Sequence, residues 1–298
     1  MEKILDNKGD GMKLDKMKVW ITFPFLLQPG KFRFLESAIW TANKWQIEKT
    51  KIVIFINKTN QDTSWFTNRL LESCKNIEIK FVDVTEKPLL LQWAHKKDLP
   101  EFLESEYTHF IYADGDIAIN EPVLSYWLKT REFLNQNNYS RYIPGTFRIE
   151  TYNDIDKASD LTHRTDIHKM PVVNIKDKWF FMPQEPFQGI SIMDKELVSE
   201  HLNSPYFTPM MDDSDYKFGF GETCISGYIL HNVPDDAPEG YKHRVLIPLD
   251  DYTDCWVYHL PANYAANPNS EHGKINAHYV FSQVQARINW LKTQEAKR

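Results

Sequence analysis

Asp114 and Asp116, separated by a single glycine, sit inside the run Tyr107–Pro122, YTHFIYADGDIAINEP. The residues before them, His109–Ala113 (HFIYA), are aromatic and β-branched and read as a short buried strand. Alternate residues of an extended segment share a face, so both carboxylates are expected to point the same way. Gly115 between them tolerates a tight or left-handed backbone. Two carboxylates converging at the end of a buried strand are costly unless a positive charge lies between them. A hard divalent cation, Mn²⁺ or Mg²⁺, suits that pair, with phosphate oxygens filling its other positions. Asp-x-Asp is also an ordinary capped turn. A simple turn, however, needs neither the apolar strand ahead of it nor Asn120-Glu121-Pro122 leading into an amphipathic run.

The elements that must position these residues alternate strand and helix. Lys18–Phe25 (KVWITFPF) reads as a strand breaking at Pro24 into the polar loop Gln28-Pro29-Gly30-Lys31, and Phe32–Trp45 carries helical spacing. Lys51–Ile56 is a second strand, Thr63–Cys74 a helix, and Ile77–Val84 a third strand. Leu89–Glu104 reads as helical with a stop or kink near Pro100. The Asp-Gly-Asp strand is the fourth. Successive βα units imply a parallel sheet with helices on both faces. Ligands of such sheets collect outside the carboxyl ends of the strands.

The second half is less regular. Pro122–Asn137 reads as a helix and Tyr142–Glu150 (YIPGTFRIE) as a strand, while Tyr152–Lys178 reads as a long exposed excursion. Trp179–Met193 returns to strand character before a helix at Asp194–Asn203. Tyr216–Leu230 is a Gly-punctuated turn entering a helix. Val245–Pro248 and Cys255–His259 are strands, and a helix over about 277–297 closes the chain.

Composition narrows the class. The chain has 298 residues, 41 acidic against 35 basic, a net charge of −6 and no basic block, which argues against nucleic acid as a partner. Nine Trp, 14 Tyr and 18 Phe suit sugar-stacking platforms and packed cores alike. Cys74, Cys224 and Cys255 are dispersed and form no CxxC pair, which suits a reducing cytoplasm better than a disulfide framework. No run is long enough to span a bilayer. Residues 1–16 lack an apolar core for a signal peptide and read as a disordered leader before one domain at 17–298. Peripheral membrane association by a surface patch stays open. Neither GxGxxG nor GxxxxGK[ST] occurs.

The Asp-Gly-Asp run resembles the DxD motif of GT-A glycosyltransferases, and the order of βα units resembles that family's nucleotide-binding half. The resemblance implies a single GT-A-like α/β domain, a Rossmann-like, mainly parallel sheet flanked by helices with a more irregular acceptor-binding half. It implies a metal-dependent transfer from a nucleotide-sugar, a UDP-sugar by expectation, to a glycan or glycolipid acceptor. Asp116 is then the first metal ligand. Asp114 would ligate directly, act through water or hold the ribose. A histidine from the C-terminal part completes the set, His259 or else His272. Phe187-Gln188-Gly189 resembles the strand beneath the donor sugar, where Gly189 admits close approach of the backbone.

Gly219–Thr223 (GFGET) resembles the acidic turn beneath the acceptor, although the family's Glu-Asp is here Glu222-Thr223. Glu222 is the candidate base, with a helix-start residue as the plain alternative. Further donor contacts are expected from Thr22, Phe23, Pro24, Asp83 and Lys97. A nucleotidyltransferase and a non-catalytic carbohydrate-binding relative are the competing functions.

Overall fold

In a computed structural model, residues 13–59, 62–85, 87–207 and 227–297 are described. The strand β1 (Lys18–Phe25) is buried from Val19 to Phe23 and lies at the centre of the main sheet. On one side it pairs in parallel with β2 (Lys49–Asn57), which pairs in parallel with β3 (Ile77–Val82). On the other it pairs in parallel with β4 (His109–Ala113), in the register Val19↔His109 to Thr22↔Tyr112. All five residues of β4 are buried, which is why its sequence is a continuous apolar run rather than an alternating one. The four strands expected to be parallel are parallel, and Asp114–Asp116 follow the carboxyl end of β4. An antiparallel edge strand, β11 (Ile190–Asp194), completes the order β11-β4-β1-β2-β3.

Helices cover this sheet. The helix α1 (Phe32–Ala42) buries Phe32, Leu35, Ala38, Ile39 and Ala42, a stripe at the spacing of 3.6 residues per turn. It ends three residues short of the expected Trp45, whose indole Nε1 instead donates to the Ile119 carbonyl. The next helix is α2 (Ser64–Ser73). The segment expected as one helix with a stop at Pro100 behaves otherwise. Pro88–Asp98 is a 3-10 stretch, and Pro100 lies in the first turn of α3 (Leu99–Glu104). A proline without an N–H is at home in a first turn, where that donor has no intrahelical partner.

The second half supplies two smaller four-stranded sheets. The first runs β6 (Ile143–Pro144), β12 (Val245–Pro248), β10 (Lys178–Phe181), β9 (Val172–Ile175). The other runs β5 (Ile117–Ala118), β13 (Trp256–His259), β7 (Phe147–Tyr152), β8 (Ile155–Ala158). The expected strand at 142–150 is therefore split between two sheets, and 179–193 divides into β10 and β11. The long excursion at 152–178 is also corrected. It contains β8, β9 and a 3-10 turn, and it buries Ala158, Leu161, Ile167, Met170 and Ile175. Asn153 and Asp154 join β7 to β8 with φ of 51° and 58°, the left-handed pair a tight two-residue hairpin requires.

The helix α4 (Glu121–Gln136) follows the Asp-Gly-Asp turn. Asp194 caps α5 (Lys195–Leu202), its carboxylate accepting from the Leu197 N–H. The last helix, α6 (Ala277–Glu295), packs Val280, Phe281, Val284 and Ile288 into the same core cluster as β1 and β4. The leader expected through residue 16 is corrected in part, since Leu14–Lys16 forms a 3-10 turn and Leu14 packs against the core. Cys74 and Cys255 are buried free thiols, and Cys224 lies outside the described residues. Among the described residues no helix is long and apolar enough to cross a membrane.

Candidate active site

The chain leaves β4 at Ala113 and turns at once, with the Ile117 N–H donating to the Asp114 carbonyl at 3.0 Å. Asp114 and Asp116 thus lie in a turn rather than on an extended strand. Gly115 does not use the left-handed region. What it lacks is a Cβ, which would stand 3.1 Å from the Phe25 ring and 3.3 Å from the Pro24 carbonyl. The turn therefore lies directly against the end of β1. Between them opens a cleft of about 280 Å³, walled by Pro24, Phe25 and Leu91 with Lys31, Asp114 and Asp116 among its polar groups.

Directly after the turn, β5 pairs antiparallel with β13 in the register Ile117↔His259 and Ala118↔Tyr258. The Leu260 N–H also donates to the Asp116 carbonyl at 2.9 Å. This pairing sets His259 beside Asp116, with Nε2 at 3.5 Å from Oδ2. His272, the alternative, is exposed, and its ring meets that of Tyr264, which in turn stacks on His259.

Parallel to β13 runs β7, where Phe147 and Ile149 enter the core while Arg148 and Glu150 share the other face. Glu150 is fully buried, and His259 Nδ1 donates to its Oε1 at 2.5 Å. The Tyr264 and Ala265 N–H groups donate to Glu150 Oε2 at 3.1 and 2.5 Å. Arg148 forms a bidentate pair with Asp160 and turns its guanidinium toward Asp114. Gly189, with φ +69°, closes that side, its carbonyl accepting from the Asp114 N–H at 2.8 Å. A Cβ on Gly189 would stand 3.1 Å from Asp114 Oδ2 and 3.2 Å from Arg148 Nη1.

Charge follows this geometry. Burial, and then the neighbouring Asp116, push the Asp114 carboxyl up to about 6, against the Tyr112 hydroxyl that donates to its Oδ1 at 2.8 Å. Burial also raises Asp116, but the hydrogen bond and charge of His259, with Arg148 and Lys31 beyond, bring it below the usual carboxylate range. Burial disfavours the His259 imidazolium, yet Asp116 and Glu150 on its two nitrogens carry its pKa above the ordinary value. The two acids of the turn thus differ: the surroundings lower the pKa of Asp116 and raise that of Asp114.

Among the described residues no group of three or more His, Cys, Asp and Glu side chains is arranged to hold a metal ion. The pair Asp116–His259, with Asp114 behind it, nevertheless has the chemistry for a cation whose remaining positions are filled by substrate. Mg²⁺ is commonly held by one or two carboxylates plus phosphate oxygens rather than by a full protein cage.

The other expected positions fall as follows. Pro24 lines the cleft, but Thr22 and Phe23 are buried inside β1, with Thr22 Oγ1 directed at the Ile111 carbonyl. The strand has the bounds expected of it, Lys18–Phe25, so Thr22 and Phe23 lie within it rather than in the loop that follows. Asp83 is exposed and holds the Thr85 hydroxyl. Lys97 is exposed too. Its neighbour Lys96 is the buried one, with Nζ on the carbonyls of Tyr206 and Phe207. Glu222, with Gly219 and Gly221, lies outside the described residues.

Sequence reading missed Lys31 as a site residue, and it missed Arg148 and Glu150. The alternation FRIE carried the signal for the last two, since charged residues at alternate positions of a strand share one face.

No protein-family model matches the chain, and no curated protein matches it. Among solved structures it is similar to a crystal structure of 4-diphosphocytidyl-2C-methyl-D-erythritol synthase. The TM-score is 0.38 at 11% identity, over 71% of this chain and 85% of that one.

Proposed function

We propose that this protein is a metal-dependent glycosyltransferase that moves a sugar from a nucleotide-sugar, a UDP-sugar, to a glycan or glycolipid acceptor. The observation that carries the reading is the Asp114–Asp116 turn, which faces a cleft at the carboxyl edge of a parallel sheet with His259 brought to Asp116 by β13. Asp116 Oδ2 and His259 Nε2 would hold Mn²⁺ or Mg²⁺, and Asp114 would act through water or on the ribose. When bound, such a cation offsets the charge that builds on the departing nucleoside diphosphate.

The chain's own groups complete the donor site. Pro24, Phe25 and Leu91 offer an apolar wall for a base, Gln28 and Gln92 lie at its edge, and Lys31 sets a positive charge beside the carboxylates. Gly189, which lacks a Cβ, leaves room beside it for the side chains of Asp114 and Arg148. Glu222 is the proposed base, taking the proton of the acceptor hydroxyl.

A thermal-shift series with uridine diphosphate, with and without Mn²⁺, tests the reading. A ligand that binds only the native state stabilises by RT ln(1 + [L]/Kd), about 2.7 kcal/mol at 100-fold saturation. Stabilisation by the diphosphate only when Mn²⁺ is present is the expected result, and full binding in EDTA would overturn it. Product analysis separates nucleotidyl transfer, since that reaction releases pyrophosphate while sugar transfer releases a nucleoside diphosphate.

A further inference from the structure

We propose that Glu150 is a positioning residue that fixes the tautomer of His259 and so keeps Nε2 available as a metal ligand. The proposal rests on the metal-site reading above and goes beyond it to a residue outside the cleft.

Glu150 is fully buried on β7, and both of its oxygens accept hydrogen bonds, with the Tyr264 N–H shared between them at 3.3 Å to Oε1 and 3.1 Å to Oε2. Oε1 receives the His259 Nδ1 proton at 2.5 Å. Oε2 receives the N–H groups of Tyr264 and Ala265 at 3.1 and 2.5 Å. Only an acceptor can occupy either place. With its proton held on Nδ1 by a carboxylate, the neutral imidazole presents a bare lone pair at Nε2, which stands 3.5 Å from Asp116 Oδ2. Tyr264 stacks on the same ring at a centroid distance of 5.3 Å, so the loop that Glu150 holds also restrains the plane of the ring. Carboxylates behind metal-binding histidines act in this way, and their loss typically lowers metal affinity about 10–100-fold.

Glutamine makes the test sharp because it has the shape of glutamate but only one acceptor. The paired N–H groups of Tyr264 and Ala265 would claim the amide oxygen. The amide NH₂ would then face Nδ1 and donate to it, which drives the histidine proton onto Nε2. Glu150→Asp is shorter but keeps two acceptor oxygens and the Nδ1–H tautomer.

The experiment measures Mn²⁺ binding by electron paramagnetic resonance, with the metal alone and with uridine diphosphate added. Imidazole ¹⁵N shifts of the metal-free protein are recorded at a pH where the ring is neutral. Wild-type protein should show Nδ1–H at His259, and Glu150→Gln should show Nε2–H with Mn²⁺ affinity lowered at least tenfold. Glu150→Asp should retain Nδ1–H and bind Mn²⁺ more tightly than Glu150→Gln does. A purely structural role predicts the reverse order, with the isosteric glutamine the milder change, and that result would overturn the proposal. So would an unchanged tautomer in Glu150→Gln. Should Glu150→Gln fail to fold, the wild-type tautomer and the Glu150→Asp affinity still decide the matter: Nε2–H in wild type sinks the proposal. The parent reading is tested apart, by Asp116→Asn and His259→Ala. If neither alters Mn²⁺ binding, the metal site itself is wrong; if both do and Glu150→Gln does not, only the role of Glu150 fails.

Discussion

His259 Nε2 stands 3.5 Å from Asp116 Oδ2 although the two residues belong to distant parts of the chain. The cause is two residues long. Ile117 and Ala118 form a strand just after the Asp-Gly-Asp turn, and β13 pairs with it so that His259 lies opposite Ile117. A shift of one residue in that register would turn His259 to the other face of its strand and leave Asp116 without it.

The pair makes a prediction about ligand binding. Asp116→Ala and His259→Ala should each abolish most of the Mn²⁺-dependent thermal stabilisation by uridine diphosphate, while the metal-free proteins melt close to wild type. Differential scanning fluorimetry reads both quantities. Retention of the full Mn²⁺-dependent shift in either variant would show that the pair serves another purpose.

Lys31 should matter to the phosphates and not to the fold. It is exposed at the end of the 3-10 turn Pro29–Lys31, lines the cleft beside Asp114 and Asp116, and makes no ion pair among the described residues. A hydrogen bond to a charged group contributes about 1.5–3 kcal/mol. Lys31→Ala should therefore weaken diphosphate binding by roughly tenfold or more, and calorimetric titration in Mn²⁺ measures it. An unchanged dissociation constant would remove Lys31 from the donor site.

The parallel core was legible in the sequence because β1, β2 and β4 are buried on both faces and spell continuous apolar runs. The Asp-Gly-Asp turn was legible for the same reason, as the polar end of such a run. Ile117–Ala118 was not, since a two-residue strand has no period to detect, yet it is what brings His259 to Asp116. Glu150 was hidden because a charged residue in a strand reads as a solvent-facing one. Its burial becomes intelligible only beside His259 and two backbone N–H groups that are distant in sequence. Thr22 and Phe23 were expected to touch the donor although both lie inside the strand that the sequence itself spells, Lys18–Phe25. The register of that strand with β2 runs through to Phe25.

Gly189→Ala should damage both stability and the site. An alanine at φ +69° is strained by about 1–2 kcal/mol, and its Cβ would crowd Asp114 Oδ2 and Arg148 Nη1. A fall of a few degrees in melting temperature is expected, together with weaker diphosphate binding in the fraction that remains folded. Unaltered melting would mean that the backbone moves readily there.

Acid should destabilise this protein before its surface carboxylates titrate. His95, His109, His201 and His243 are all buried. Burial is the first cause of their lowered pKa values, to about 3 for His95 and about 4 for His109 and His243, with His201 well below its ordinary value. The folded protein therefore keeps these rings neutral while the unfolded chain takes up protons below pH 6.5. Their contribution is present in full above that pH and is lost as pH falls toward the folded values. Each histidine costs about 1.4 kcal/mol per pH unit in that window. Asp114, raised to about 6, works in the opposite direction but offsets only part of one histidine. The urea midpoint, followed by tryptophan fluorescence, should therefore drop steeply between pH 7 and pH 5.5. A flat midpoint across that range would mean that these rings accept protons inside the folded protein.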